Sequence, residues 1–173
     1  WDGSVVPGAG DNAIIPTGLS NYPILGDGVI AYARDIAGAG FLTMTGGTLK
    51  VSLDYKPTTP SNFVLTGGTV EFTGDAGGGG FATAGIYYFN NVFISNGTDQ
   101  GMANKANTIV IAGELSIASG AEIVLRATEP NTANTLVLDG VSQVSGTWGA
   151  TGSGASNIND VYFSGIGVIT VAS

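Results

Sequence analysis

The sequence contains no cysteine and no histidine. The first absence removes disulfides and thiolate metal sites, and the second removes imidazole ligands. Small secreted eukaryotic domains more often carry disulfides, so the missing cysteines point to a bacterial exported protein with a continuous core. Charge is also scarce, at 10% of residues against roughly 25% in an ordinary globular protein. Helix surfaces are normally filled with Lys, Glu and Arg, so a largely helical fold is not expected. Five basic against thirteen acidic residues leave a formal charge of −8. A nucleic-acid partner needs a basic footprint, and this chain has none; an anionic membrane surface is disfavoured for the same reason. No uninterrupted apolar stretch approaches the roughly 18–20 residues of a membrane span. The best candidate, residues 107–125, is broken by Gly113, Glu114, Gly120 and Glu122, so no membrane insertion is expected. The chain begins at Trp1 without an initiator Met, as a processed secreted form or an excised fragment would.

What remains is apolar and rich in turn formers. Hydrophobic residues make up 43% and glycines number 29, without the every-third-residue spacing of collagen. The polar positions are mostly Thr, Ser and Asn, which suit exposed strand faces and tight turns. The 173 residues suffice for one domain with a substantial core, and the class is all-β.

An internal echo makes this specific. Phe41-Leu-Thr-Met-Thr-Gly-Gly-Thr-Leu-Lys-Val matches Asn62-Phe-Val-Leu-Thr-Gly-Gly-Thr-Val-Glu-Phe, and the Thr-Gly-Gly-Thr elements begin 21 residues apart, at Thr45 and Thr66. The flanking residues alternate with period 2, one face in and one face out, and a Gly-Gly corner lets the chain turn where φ is positive. Further apolar bursts follow at Ile86–Ile94, Thr108–Leu125, Leu136–Val144 and Val168–Val171. Short strands, Gly/Asn/Asp/Ser corners and a coil near 21 residues predict a right-handed parallel β-helix, or β-solenoid. Leu49 would stack on Val70 inside and Thr45 on Thr66 at a corner. Roughly eight coils at about 4.8 Å each would give a rod on the order of 40 Å long. The alternative architecture is an antiparallel β-sandwich, whose hairpins also use Gly-Gly and Asp-Gly, but a sandwich predicts no echo at fixed spacing. Residues 1–173 read as a single domain. The first 40, with Pro7, Pro16 and Pro23, read as an N-terminal cap or lead-in. The stretches Asp75-Ala-Gly-Gly-Gly-Gly and Thr151-Gly-Ser-Gly-Ala-Ser-Asn read as flexible excursions.

Two terminal stretches carry a family resemblance. Trp1-Asp-Gly-Ser-Val-Val-Pro-Gly-Ala-Gly-Asp-Asn-Ala-Ile-Ile-Pro-Thr-Gly resembles the opening of solenoid-type domains in secreted surface proteins of the Bacteroidetes. The segment from Gly146-Thr-Trp-Gly-Ala-Thr-Gly to Gly167-Val-Ile-Thr-Val is similar to a closing segment of the same adhesin-like proteins. The Thr-Gly-Gly-Thr coils also resemble autotransporter passenger repeats. The resemblance implies export to the bacterial cell surface and a role in adhesion or surface structure; it implies no reaction and transfers no catalytic residue.

Candidate chemistry is thin. Solenoid lyases and polygalacturonases use clustered Asp, or Lys and Arg that stabilise a carbanion. Here the nine Asp fall mostly in turn dipeptides such as Asp2-Gly, Asp11-Asn, Asp27-Gly and Asp139-Gly, where the carboxylate bonds its own backbone. No catalytic residue is assigned and the chain is not expected to be an enzyme. No cofactor is assigned; calcium is the metal that the available oxygen ligands would suit, at Asn157/Asn159/Asp160 or Asn96/Asp99. Tyr87, Tyr88, Phe89 and Phe93 are a possible sugar-stacking platform, although alternation sends some of them into the core. Asn96-Gly-Thr98 fits a glycosylation pattern, and Lys50, Lys56 or Lys105 would be the lysine of any adhesin-type isopeptide bond to an Asn.

The expected function is therefore an extracellular structural or adhesive surface module. It would be joined to neighbouring repeats of its own protein or self-assembled head-to-tail, with Ala13-Ile-Ile and Val168-Ile-Thr-Val at the junctions. A glycan or a host surface is a possible further partner. The alternative is a glycan-binding module or a lyase-like β-helix acting on polysaccharide.

Overall fold

The computed structural model describes residues 6–74, 81, 84–95, 100–103, 107–126 and 129–172, without the side chains of 100–103. It is a parallel β-solenoid of about five turns. The first turn holds β1 (Asn12–Ile14), β2 (Ile24–Leu25) and β3 (Ile30–Ala33); the second, β4 (Asp35–Gly38) and β5 (Leu42–Val51); the third, β6 (Tyr55–Pro57) and β7 (Phe63–Phe72). Above them lie β8 (Gly85–Phe89), β9 (Asn91–Ile94), β10 (Gln100–Ala103), β11 (Asn107–Ile117), β12 (Ile123–Leu125) and β13 (Asn131–Leu138). The chain closes with β14 (Val141–Ser142), β15 (Gly146–Gly149), β16 (Asn157–Ile158), β17 (Phe163–Ser164) and β18 (Ile169–Val171).

The echo is the register. Leu42 pairs with Phe63 and Leu49 with Val70, 21 residues on, in parallel strands; Thr69 then pairs with Asn91 and Leu115 with Leu136. Parallel pairing at a fixed step is what an antiparallel sandwich cannot give. Leu49 and Val70 are both buried, as their alternation requires. The corner sits slightly differently from the simple alignment, because Thr45 lies opposite Gly67 rather than Thr66, at a register shift.

That shift marks where each long strand bends. In β5 the buried side chains are Leu42 and Met44, then Leu49 and Val51, so the inward set passes from even to odd numbers across Gly46-Gly47. A straight strand keeps one parity. Gly47 and Gly68 have φ of 69° and 73°, and a Cβ on Gly67 or Gly68 would strike the carbonyl of Thr45 or Gly46 in the turn beside it. The same corner continues without paired glycines. Asn90 Nδ2 donates to Gly68 O at 3.2 Å, Gly113 N to Asn90 O at 2.8 Å, and Glu114 N to Asn91 Oδ1 at 2.9 Å. Asparagine amides thus replace glycine corners in the upper turns.

Two long sides and a third side made by the sheets β1-β4-β6 and β10-β12-β17 enclose a continuous apolar core. Its centre is a cluster of rings in which Tyr55 lies 5.3–6.3 Å from Phe63, Phe72, Phe81, Tyr87 and Phe89. Buried Asn131 bridges turns near the top: Oδ1 accepts from Ile109 N at 3.0 Å, and Nδ2 donates to Glu129 O and Val168 O, both at 3.1 Å.

The count of eight coils is corrected to about five turns, spanning about 25 Å at the strand spacing. Part of the missing length is spent at the C-terminal end, where Asn131 pairs with Ile169, a step of 38 residues instead of about 21. The extra residues leave the spiral. Asp139-Gly140, with φ of 47° and 75°, turns the chain back so that β14 runs antiparallel on β13, a two-residue hairpin with both centres left-handed. Next, β15 lies antiparallel on β18 and β16 parallel on β15. Trp148 closes the core there, its indole N–H donating to Val144 O at 3.0 Å. Thr151–Asn157, expected to be a flexible excursion, is instead pinned: Asp160 accepts from Thr151 N at 2.6 Å and Thr151 Oγ1 at 2.7 Å, and Ser156 N donates to Thr147 Oγ1 at 2.8 Å. The Asp75–Gly80 stretch lies outside the described residues.

Candidate functional site

The sides of the rod carry the residues that sequence chemistry singled out, and the fold separates them. Tyr87 and Phe89 point inward and are buried in the ring cluster. Tyr88, 52% exposed, lies on the side formed by β8. Phe93, half-buried, faces outward on β9, around the glycine–asparagine corner. No four-ring platform forms. Phe93 instead floors a shallow depression with Thr69, Asn91, Glu114 and Ser116, in which the Asn91 Oδ1 already accepts from the Glu114 backbone.

The oxygen cluster at Asn157, Asn159 and Asp160 is committed to its own loop. Asn157 Nδ2 donates to Thr147 O at 3.2 Å, Asn159 Oδ1 accepts from Val161 N at 3.1 Å, and both Asp160 oxygens hold Thr151. The backbone N–H of Thr151, and then its hydroxyl, hold the Asp160 carboxyl below its ordinary value. Among the described residues no group of three or more Asp and Glu is placed to hold a metal ion. Asn96, Asp99, Thr98 and Lys105 lie outside the described residues.

Two lysines have carboxylate partners and, among the described residues, no asparagine partner. Lys50 Nζ lies 2.9 Å from Glu71 Oε2, a pair in direct register across β5 and β7. The carboxylate's hydrogen bond, then its charge, raises the Lys50 ammonium above its ordinary value. Lys56 Nζ lies 2.6 Å from Asp54 Oδ2 and 3.8 Å from Asp35 Oδ1, with Arg34 3.6 Å from the other Asp35 oxygen. The hydrogen bond to Asp54 raises Lys56 despite partial desolvation. The Lys50–Glu71 pair was readable from the echo, where Lys and Glu occupy the same coil position.

The ends of the rod are chemically different from its sides. Sixteen large apolar side chains among the described residues are exposed, and only Val64, Ile86 and Tyr88 belong to residues 42–140. Eight lie in residues 6–41 and five in 141–166. At the first turn each of the three sides presents an isoleucine: Ile14, Ile24 and Ile30, exposed by 67, 70 and 57%. One turn later the same register positions hold Ala37, Thr43 and Thr48.

The strand edges follow this division. The long sheet runs β16-β15-β18-β13-β11-β9-β7-β5-β2, with β3 also on β5 and β14 on β13, so this path ends at the two-residue strands β2 and β16. Of the segments expected at junctions, Ala13-Ile-Ile does lie in the first turn, with Ala13 and Ile15 buried and Ile14 outward. Val168-Ile-Thr-Val does not form the other edge. Ile169 and Val171 are buried, and β15 covers the strand. The residues that make that edge, Gly146–Ile158, could not be recognised from periodicity, because antiparallel additions interrupt the 21-residue rhythm. Among the described residues no helix is long and apolar enough to cross a membrane. Comparisons with models of protein families, with curated proteins and with solved structures gave no match.

Proposed function

We propose that this chain is an extracellular structural and adhesive module of a bacterial surface, a short rod that joins like modules through its ends. The observation that carries this reading is the distribution of exposed apolar surface. Of the sixteen exposed large apolar side chains among the described residues, thirteen lie in residues 6–41 and 141–166, while the sides are largely Thr, Ser and Asn. Exposed apolar side chains gathered on an otherwise polar protein mark interaction, and the end turns of a solenoid leave its ladder open. The lateral carboxylates Glu71 and Asp54 support the same conclusion from the other direction, since each is engaged by a lysine. An acidic, lysine-poor, cysteine-free composition suits an exported bacterial protein.

Two measurements test this. Antibodies against the chain should label intact cells of the organism that encodes it, and labelling confined to lysed cells would refute the location. Sedimentation velocity of the purified protein should show mass rising with concentration, and a strict monomer into the millimolar range would refute end-to-end association. The depression at Phe93 is where the alternative reading, a glycan-binding side face, would act; glycan-array binding abolished by Phe93→Ala would favour it.

A further inference from the structure

We infer that the partner of β2, an edge strand of the first turn among the described residues, is the C-terminal end of a second copy, joined by an antiparallel backbone pair between Ile24 and Ile158. This rests on the end-to-end reading above and specifies its geometry.

The two residues are matched in backbone, side chain and position. Pro23 O accepts from Thr43 N at 3.1 Å, so by strand alternation residue 23 faces β5 and Ile24 turns its own N–H and C=O to the free edge. At the other end Asn159 N donates to Gly149 O at 3.0 Å, so by the same alternation Ile158 turns its N–H and C=O away from β15. Proline often blunts an edge strand, but Pro23 points its carbonyl inward and leaves the outward donor intact. Both isoleucine side chains stand on the outer surface of the sheet, 70% and 48% exposed, and their strand neighbours Leu25 and Asn157 are buried and half-buried.

Strand direction fixes the kind of pair. β18 runs with the solenoid, β15 against β18, and β16 with β15. In a second copy stacked in the same orientation, β16 therefore runs against β2. Opposed antiparallel residues with outward-turned backbone groups exchange two N–H···O=C bonds, and the long sheet continues unbroken from copy to copy. The isoleucines become a cross-strand neighbour pair. Around them Ile14 and Ile30 of one copy face the end that bears Val141, Val161 and Ile166 of the other.

The cross-section is large enough. A coil of 21 residues at about 3.3 Å each, widened by its outward side chains, outlines on the order of 600 Å² per copy, near the lower bound of specific interfaces. Because the two contacting surfaces differ, the contact does not close on itself and the product is an open chain.

The experiment uses Ile24→Lys and Ile158→Lys, both exposed sites at strand edges, with sedimentation velocity over a concentration series. Unaltered protein is expected to form a ladder of species. Each variant alone should fall to monomer, because one end of every molecule is blocked. An equimolar mixture should give a 1:1 dimer and nothing larger, since it unites one intact first turn with one intact C-terminal end; that rescue also shows that both variants fold. If Ile158→Lys still assembles while Ile24→Lys does not, the junction is head-to-head and this inference falls, although end-to-end association stands. If the mixture stays monomeric while unaltered protein assembles, the Ile24–Ile158 junction is likewise refuted. A monomeric unaltered protein removes both.

Discussion

The interior turns and the end turns are made from the same short strands, yet they meet water with different chemistry. From Leu42 to Leu138 the long sheet pairs turn on turn, and its outward positions are mostly polar, with Val64, Ile86 and Tyr88 the exposed large apolar side chains among the described residues. At the first turn those positions become Ile14, Ile24 and Ile30. The C-terminal end takes a third course, folding 139–158 back in antiparallel strands over its last edge and plugging the core with Trp148. An interior turn is specified by stacking; an end turn must be specified by whatever covers it. The lesson is that a solenoid's periodic part tells how it stands, and its aperiodic ends tell what it touches.

The contrast can be broken first in the interior. Tyr55→Ala empties the centre of the ring cluster and should cost about 3–5 kcal/mol, seen as a large fall in the denaturation midpoint. Substitutions at exposed Ile14 should leave that midpoint nearly unchanged. Asn131→Leu removes three hydrogen bonds at once and strands Ile109 N–H and Val168 C=O in the core, an expected loss of about 2–4 kcal/mol by the same measurement. Gly68→Ala forces a Cβ at φ 73° against the Gly46 carbonyl and should cost about 2–3 kcal/mol. Gly120→Ala, at φ 78° with open space around it, should cost only about 1–2 kcal/mol. Equal losses at Gly68 and Gly120 would show that φ alone, and not stacking, governs the corner.

The smallest expected effect is in pH, and it separates the regions by sign. Burial, then the nearby Tyr87, raises the Tyr55 hydroxyl well above its ordinary 10.0, and Glu71 and Asp54 raise Lys50 and Lys56 above 10.5. These contributions are complete below the ordinary values and disappear as pH climbs through the folded ones, so the interior loosens in alkali. Asp160 lies below its ordinary 3.8; its contribution is present above that value and is lost as pH falls through the folded one. Acid should therefore loosen the C-terminal end first. An NMR titration should find the Thr151 amide signal moving below pH 3.8 while signals of the ring cluster stay fixed; simultaneous movement of both would contradict the separation.

The architecture was legible wherever residues repeat. Leu49 over Val70 and the Gly-Gly corner each follow from local rules that neighbouring turns reinforce. The number of turns was not legible, because dividing length by coil size assumes that every residue spirals, and residues 139–158 fold back instead. Nor was the upper corner, where the side-chain amides of Asn90 and Asn91, with the backbone N–H of Gly113, do what paired glycines do below. The sequence-level junction at Val168–Val171 failed for a related reason: a β-branched segment near a terminus looks like an edge, but only the fold reveals that β15 covers it.

The most direct test of the claim that the ends and not the sides are the working surfaces is amide hydrogen exchange, measured by mass spectrometry on dilute and on concentrated protein. The account predicts that concentration slows exchange in peptides covering residues 12–33 and 146–166, and leaves the side-facing peptides around Thr69 and Phe93 unchanged. Protection that grows at Thr69 and Phe93 while both ends exchange as before would contradict it.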